Sequence, residues 1–135
     1  MEEAVRYGHR NCVEELLKYK EIDVNAVDKE GKTLLHLAIQ TNKPELVEVL
    51  LSHKSINPNI AITSPTYEGY TPLHFAAMYS NVECLNLLLA CQKIDPSLKT
   101  KTDLTALSIA EQSKSNKRDE LNTILSRAMN KNVEL

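Results

Sequence analysis

The feature that most constrains this chain is that it repeats itself. GKTLLHLA, starting at Gly31, returns as GYTPLHFA from Gly69 and more weakly as DLTALSIA from Asp103, at spacings of 38 and 34 residues. An apolar segment follows at a fixed distance: ELVEVLL ends at Leu51 and ECLNLLL at Leu89, while VEELL ends at Leu17 ahead of the first full copy. A third landmark closes each unit, EIDVN from Glu21, SINPN from Ser55 and KIDPS from Lys93. Self-similarity at a period of about 20–50 residues marks a chain assembled by stacking one small supersecondary unit. One such unit cannot stand alone. At about 1.5–3 kcal/mol per buried aliphatic side chain it does not offset the entropy of ordering its own residues, so adjacent units must share faces.

The letters of the repeat have physical jobs. Thr33, Thr71 and Thr105 stand where a hydroxyl caps a first helical turn, and Pro72 falls at the first helical position, where no amide hydrogen is needed. Pro44 opens a second helix in the same way. The glycines occupy turns, Gly31 and Gly69 in one kind and Gly8 in another, where positive φ is called for; Asn42 and Ser80 take the Gly8 place in later units. Leu46, Val47, Val49, Leu50 and Leu51 cover too much of a helix circumference for a lone surface helix, so they predict a helix covered by neighbours.

Composition narrows the function. At 135 residues the chain predicts a single domain, and it has no apolar run near the roughly 20 residues of a membrane helix, which argues against membrane insertion. Sixteen Lys plus Arg against eighteen Asp plus Glu leave no basic excess for binding nucleic acid. MEEAVRYGHR at the start does not read as a secretory signal, and three cysteines without a CxxC pair suggest reduced thiols in an intracellular, cytoplasmic setting. Three glycines supply no phosphate loop, and GxSxG, HExxH and P-loop patterns are absent, so no enzyme, cofactor or metal is expected.

The pattern resembles the ankyrin repeat, which joins a β-turn finger to two antiparallel helices and carries a T-P-L-H-x-A signature. Thr71-Pro72-Leu73-His74 matches fully, Thr33-Leu34-Leu35-His36 lacks the Pro, and Thr105-Ala106-Leu107-Ser108 lacks Pro and His. The resemblance implies an all-α solenoid of four repeats at approximately residues 1–27, 28–65, 66–99 and 100–135. The first repeat, lacking its finger, reads as an N-terminal cap with Glu15 on its outer face. The fourth, with two extra residues in SKSNKRDEL and polar Asn122, Thr123, Ser126 and Arg127, reads as the closing cap, and NKNVEL beyond it as a frayed end. Four additional residues in PNIAITSPTYEG predict a longer finger before the third repeat.

Candidate chemistry is weak. Equivalent positions on stacked helices lie about 8–10 Å apart, too far for His36 and His74 to share one zinc, so both are read as structural. The resemblance implies that this His hydrogen-bonds locally and between repeats. Cys12 and Cys84 share the helix position of Leu46 and are read as core cysteines, whereas Cys91, near a helix end, is the thiol open to reaction, with inertness the simpler expectation. Asn25 resembles a finger asparagine that is hydroxylated in some family members, with the unmodified residue the default; Ser113 and Ser115 are possible phosphate acceptors in a solvated loop.

The resemblance also implies where a partner is held: finger tips and the ends of first helices line a concave face. Mapped here, those 17 positions are Arg6, Tyr7, Lys29, Glu30, Lys32, Gln40, Thr41, Tyr67, Glu68, Tyr70, Met78, Tyr79, Lys101, Thr102, Leu104, Gln112 and Ser113. They hold four of the five tyrosines, where even scattering gives about 0.6, and interface aromatics are frequent hot spots. The expectation is therefore a monomeric, non-catalytic protein-interaction module. Its partner-binding residues are Tyr67, Tyr70, Met78 and Tyr79, flanked by Arg6, Tyr7, Glu68 and Leu104. The alternative for the tyrosines is that they pack on one another. Alternatives for the chain are a scaffold segment of a larger multidomain protein and a microbial effector acting in the host cytoplasm.

Overall fold

The computed structural model describes residues 8–19 and 22–133, with side chains described to residue 129. Arg6, Tyr7 and the helix expected ahead of Gly8 lie outside the described residues. Within them the chain is helical, with α1 at Arg10–Leu16, α2 at Leu34–Gln40, α3 at Pro44–Leu51, α4 at Pro72–Met78, α5 at Val82–Ala90, α6 at Ala106–Glu111 and α7 at Arg118–Val133. Helices α2, α4 and α6 pack side by side in one layer, α1, α3, α5 and α7 in a second, and each first helix packs on the second helix of its own hairpin.

The starts follow from the caps. Thr33, Thr71 and Thr105 are extended N-caps, and Pro72 and Pro44 occupy first helical positions. Asn42 and Ser80 turn the chain between helices at φ of 56° and 54°, and Gly8, just ahead of α1, has φ of 74°.

Burial separates the faces of the stack. Val13, Val47 and Leu85 occupy one repeated position and Leu46, Cys84 and Leu121 another, and all six are fully buried. Cys12, equivalent to Leu46, is exposed, which corrects its reading as a core cysteine: it shares its face with exposed Glu15, and no preceding repeat lies among the described residues to cover it. At the other end the corresponding loss falls on the opposite face. Leu35 and Leu73 are each 1% exposed, but Leu107 is half-buried, and Asn122 replaces the Val47 and Leu85 position. The expected frayed end is also corrected in part, because α7 runs sixteen residues and continues through Val133. That stretch holds no Gly or Pro to stop it.

The fingers form their own row. The second is closed by Asp28 N–H to Lys32 O at 2.9 Å and Gly31 N–H to Asp28 O at 3.0 Å. Thr100 N–H to Leu104 O and Asp103 N–H to Thr100 O, both 2.9 Å, close the fourth. In the third, Ile62 N–H to Tyr70 O and Gly69 N–H to Ile62 O do the same across four more residues, and Ile62 is buried beneath. Adjacent fingers touch through backbone: Glu30 O accepts from the N–H groups of Thr63 and Ser64, and Glu68 O accepts from Lys101 N–H. A Cβ on Gly31 would sit 2.7 Å from Thr63 N, and one on Gly69 2.6 Å from Lys101 N, so both positions demand glycine for space as well as for φ.

Candidate functional site

The site begins with the capping threonines, because they fix the histidines and the histidines fix the fingers. His36 Nδ1 accepts from Thr33 N–H at 3.1 Å and lies 2.9 Å from Thr33 Oγ1. A backbone N–H only donates, so Nδ1 carries no proton and Nε2–H is the donor to Tyr70 O at 3.0 Å. His74 repeats this, with Thr71 N–H on Nδ1 at 3.0 Å and Nε2–H donating to Leu104 O at 2.9 Å. Each ring thus ties its helix start to the next finger. Burial lowers the pKa of His36 from 6.5 to about 4 and lowers that of His74 in the same direction, so both are neutral at pH 7. With both nitrogens engaged inside the chain, neither ring is presented as a metal ligand or base.

The thiols offer little chemistry. Cys84 is buried, which pushes its pKa up to about 12. Cys91 is half-buried beside a groove lined by Leu89, Ile94, Pro96 and Ile124. Asn25 uses both ends of its amide, donating to Ser55 O at 2.8 Å and accepting from Asn57 N–H at 2.7 Å. Asn59 makes the same bracket to Lys93 O and Asp95 N–H in the next repeat. Sequence reading had not connected these two asparagines, although their spacing within EIDVN and SINPN carries the signal.

The tyrosines come together around a residue that the sequence reading had not singled out. Phe75, fully buried, meets Tyr67 at 5.5 Å, Tyr70 at 6.3 Å, Tyr79 at 5.6 Å and His36 at 5.0 Å between ring centroids, all edge-on. Tyr67 also packs edge-on against Tyr70 at 5.3 Å. Tyr67 reaches it from the third finger, at the place that Lys29 holds in the second. At the positions equivalent to Phe75 in neighbouring repeats, Leu37 and Ile109 are only half-buried. Tyr67, Tyr70 and Met78 are half-buried against the core, so the tyrosines do pack on one another; Tyr79 keeps 42% of its surface exposed. Glu68 pairs with Lys101 at 3.0 Å, and half-buried Leu104 supplies the carbonyl for His74. The six described residues of the expected partner surface therefore lie on the third finger, the end of α4 and the fourth finger.

A stack of helical hairpins joined by fingers, the third and fourth fingers each bound to the histidine of the preceding T-x-L-H turn, defines an ankyrin-repeat protein, and this chain belongs to that family. A family model described as ankyrin repeats (3 copies) matches residues 1–62, and one described as ankyrin repeat matches residues 68–101. Among curated proteins, the chain is 38% identical over 56 residues to the ankyrin repeat domain-containing protein SAT10 of Stachybotrys chartarum, covering 42% of this chain and 3% of that protein. It is 41% identical over 49 residues to the acyl-CoA-binding domain-containing protein 6 of Homo sapiens, covering 36% of this chain and 17% of that protein. The chain thus matches only a small part of either relative. Ankyrin repeats are generally protein–protein interaction modules, typically without catalysis of their own. Among the described residues no helix is long and apolar enough to cross a membrane.

Proposed function

We propose that the chain is a non-catalytic, monomeric module that holds a partner protein or peptide on its concave finger and first-helix surface. Tyr79, Met78, Tyr70 and Tyr67 form the centre, with Glu68 and Leu104 flanking; Arg6 and Tyr7, which lie outside the described residues, are included from the repeat register of the sequence alone. The observation that carries this reading is Tyr79: it is 42% exposed, yet its ring is held edge-on by buried Phe75 at 5.6 Å. A stiff aromatic already fixed in place loses little entropy on binding, which is what makes such residues anchors. Free Cys12, Cys84 and Cys91 support a reducing, cytoplasmic setting. A second reading, the stack as an interaction segment of a longer protein, is supported by the small share of each relative that the chain spans. The test is capture of a partner by the wild type beside Tyr79→Ala, followed by affinity measurement on the captured protein. A loss of more than about 1 kcal/mol at unchanged helicity supports the proposed surface, and wild-type affinity removes it.

A further inference from the structure

The third finger differs from its neighbours by four added residues, and that segment carries chemistry which the fold does not use. Thr63, Pro65 and Thr66 are exposed and Ser64 is half-buried. Thr63 Oγ1 donates to Glu30 O, whereas among the described residues the Ser64 hydroxyl makes no hydrogen bond; only its backbone is engaged, N–H to Glu30 O at 3.0 Å and O from Tyr67 N–H at 3.2 Å. Ser113 and Ser115 are different, because their hydroxyls hold their own turn by accepting from Ser115 N–H and Lys117 N–H. Ser64 is also followed by proline, which offers no amide hydrogen for a kinase cleft to satisfy at the next position. Thr66 is followed by Tyr67.

We propose that Ser64 is a phosphate acceptor for a proline-directed serine/threonine kinase, and that the inserted segment thereby regulates the partner surface. In the transfer Ser64 Oγ attacks the γ-phosphorus of ATP. The new O–P bond forms as the bond to the β,γ-bridging oxygen breaks, ADP leaves, and the hydroxyl proton passes to the kinase base. Opening the segment for the kinase breaks only the few backbone bonds of an exposed loop. The product adds about −1.5 to −2 charge on the finger that carries Tyr67, Glu68 and Tyr70. The regulatory part rests on the function proposed above; the acceptor part does not.

The full chain is incubated with ATP and a purified proline-directed kinase, then mapped by fragment mass spectrometry. The expected result is one phosphate on Ser64, absent in Ser64→Ala and reduced at least tenfold in Pro65→Ala, with circular dichroism unchanged. No phosphate on Ser64 overturns the acceptor site whatever the partner. If Ser64 is phosphorylated, partner affinity is expected to change at least fivefold; an unchanged affinity while Tyr79→Ala still weakens binding overturns the regulatory role alone. Unchanged affinity in both traces the failure to the binding surface instead.

Discussion

His36 Nε2–H donates to the carbonyl oxygen of Tyr70 across 34 positions of sequence, while Nδ1 of the same ring receives Thr33 N–H. One side chain therefore closes a helix start and fastens the next finger. Replacing it leaves a buried N–H without its acceptor and a void in the core, so His36→Ala is expected to lower unfolding stability by about 3 kcal/mol in urea titrations. Ser108 holds the matching place in the fourth repeat, where no further finger lies among the described residues. Ser108→His should therefore gain less than about 1 kcal/mol.

The same ring sets a pH dependence. The folded pKa of about 4 lies below the unfolded 6.5, so between these values the unfolded chain binds the proton first and stability falls with acidity. The contribution is complete above pH 6.5 and is lost as pH drops through 4, amounting to about 3 kcal/mol. His74 acts in the same direction. Urea midpoints from pH 7 to 4 should fall less steeply for His36→Gln than for wild type, because the carboxylates common to both proteins titrate equally.

Gly69 and Asp103 share a backbone, at φ of 88° and 64°, but not a neighbourhood. A Cβ on Gly69 would lie 2.6 Å from Lys101 N and 2.8 Å from Thr100 Cα, so Gly69→Ala carries steric as well as conformational cost and should exceed about 2 kcal/mol. Asp103→Ala meets only the conformational part and should cost about 1 kcal/mol or less. Thermal melts of the two variants side by side give the comparison.

Phe75 divides the tyrosines by role. Tyr67 is half-buried on Phe75 and Tyr70, and Tyr67→Ala is expected to destabilise the fold by about 2 kcal/mol. Tyr79→Ala, truncating a more exposed ring, should cost less than about 1 kcal/mol. Denaturation curves showing the reverse order would contradict the packing described.

Much of this architecture was legible because the repeat encodes it locally. A Thr three residues before a His, a Pro at a helix start and a Gly, Asn or Ser at a left-handed turn each act within a few residues, and the structure keeps them there. What escaped depends on partners far away in sequence. Cys12 occupies the same helix position as Leu46, and only the neighbouring repeat decides that one is exposed and the other buried. Asp103 adopts a glycine conformation that its identity does not announce, and Phe75 gains its place from the rings of Tyr67, Tyr70 and Tyr79 that the fold gathers around it. The tyrosine enrichment was visible, but its division between packing and exposure was not.

The proposed binding surface is tested most directly by measuring the affinity of one captured partner for wild type, Tyr79→Ala and Glu83→Gln, the last an exposed residue at the start of α5 on the second-helix layer. A loss of about fivefold or more for Tyr79→Ala with Glu83→Gln at wild-type affinity is the predicted result. Equal affinity for wild type and Tyr79→Ala, with the loss appearing in Glu83→Gln, would contradict it.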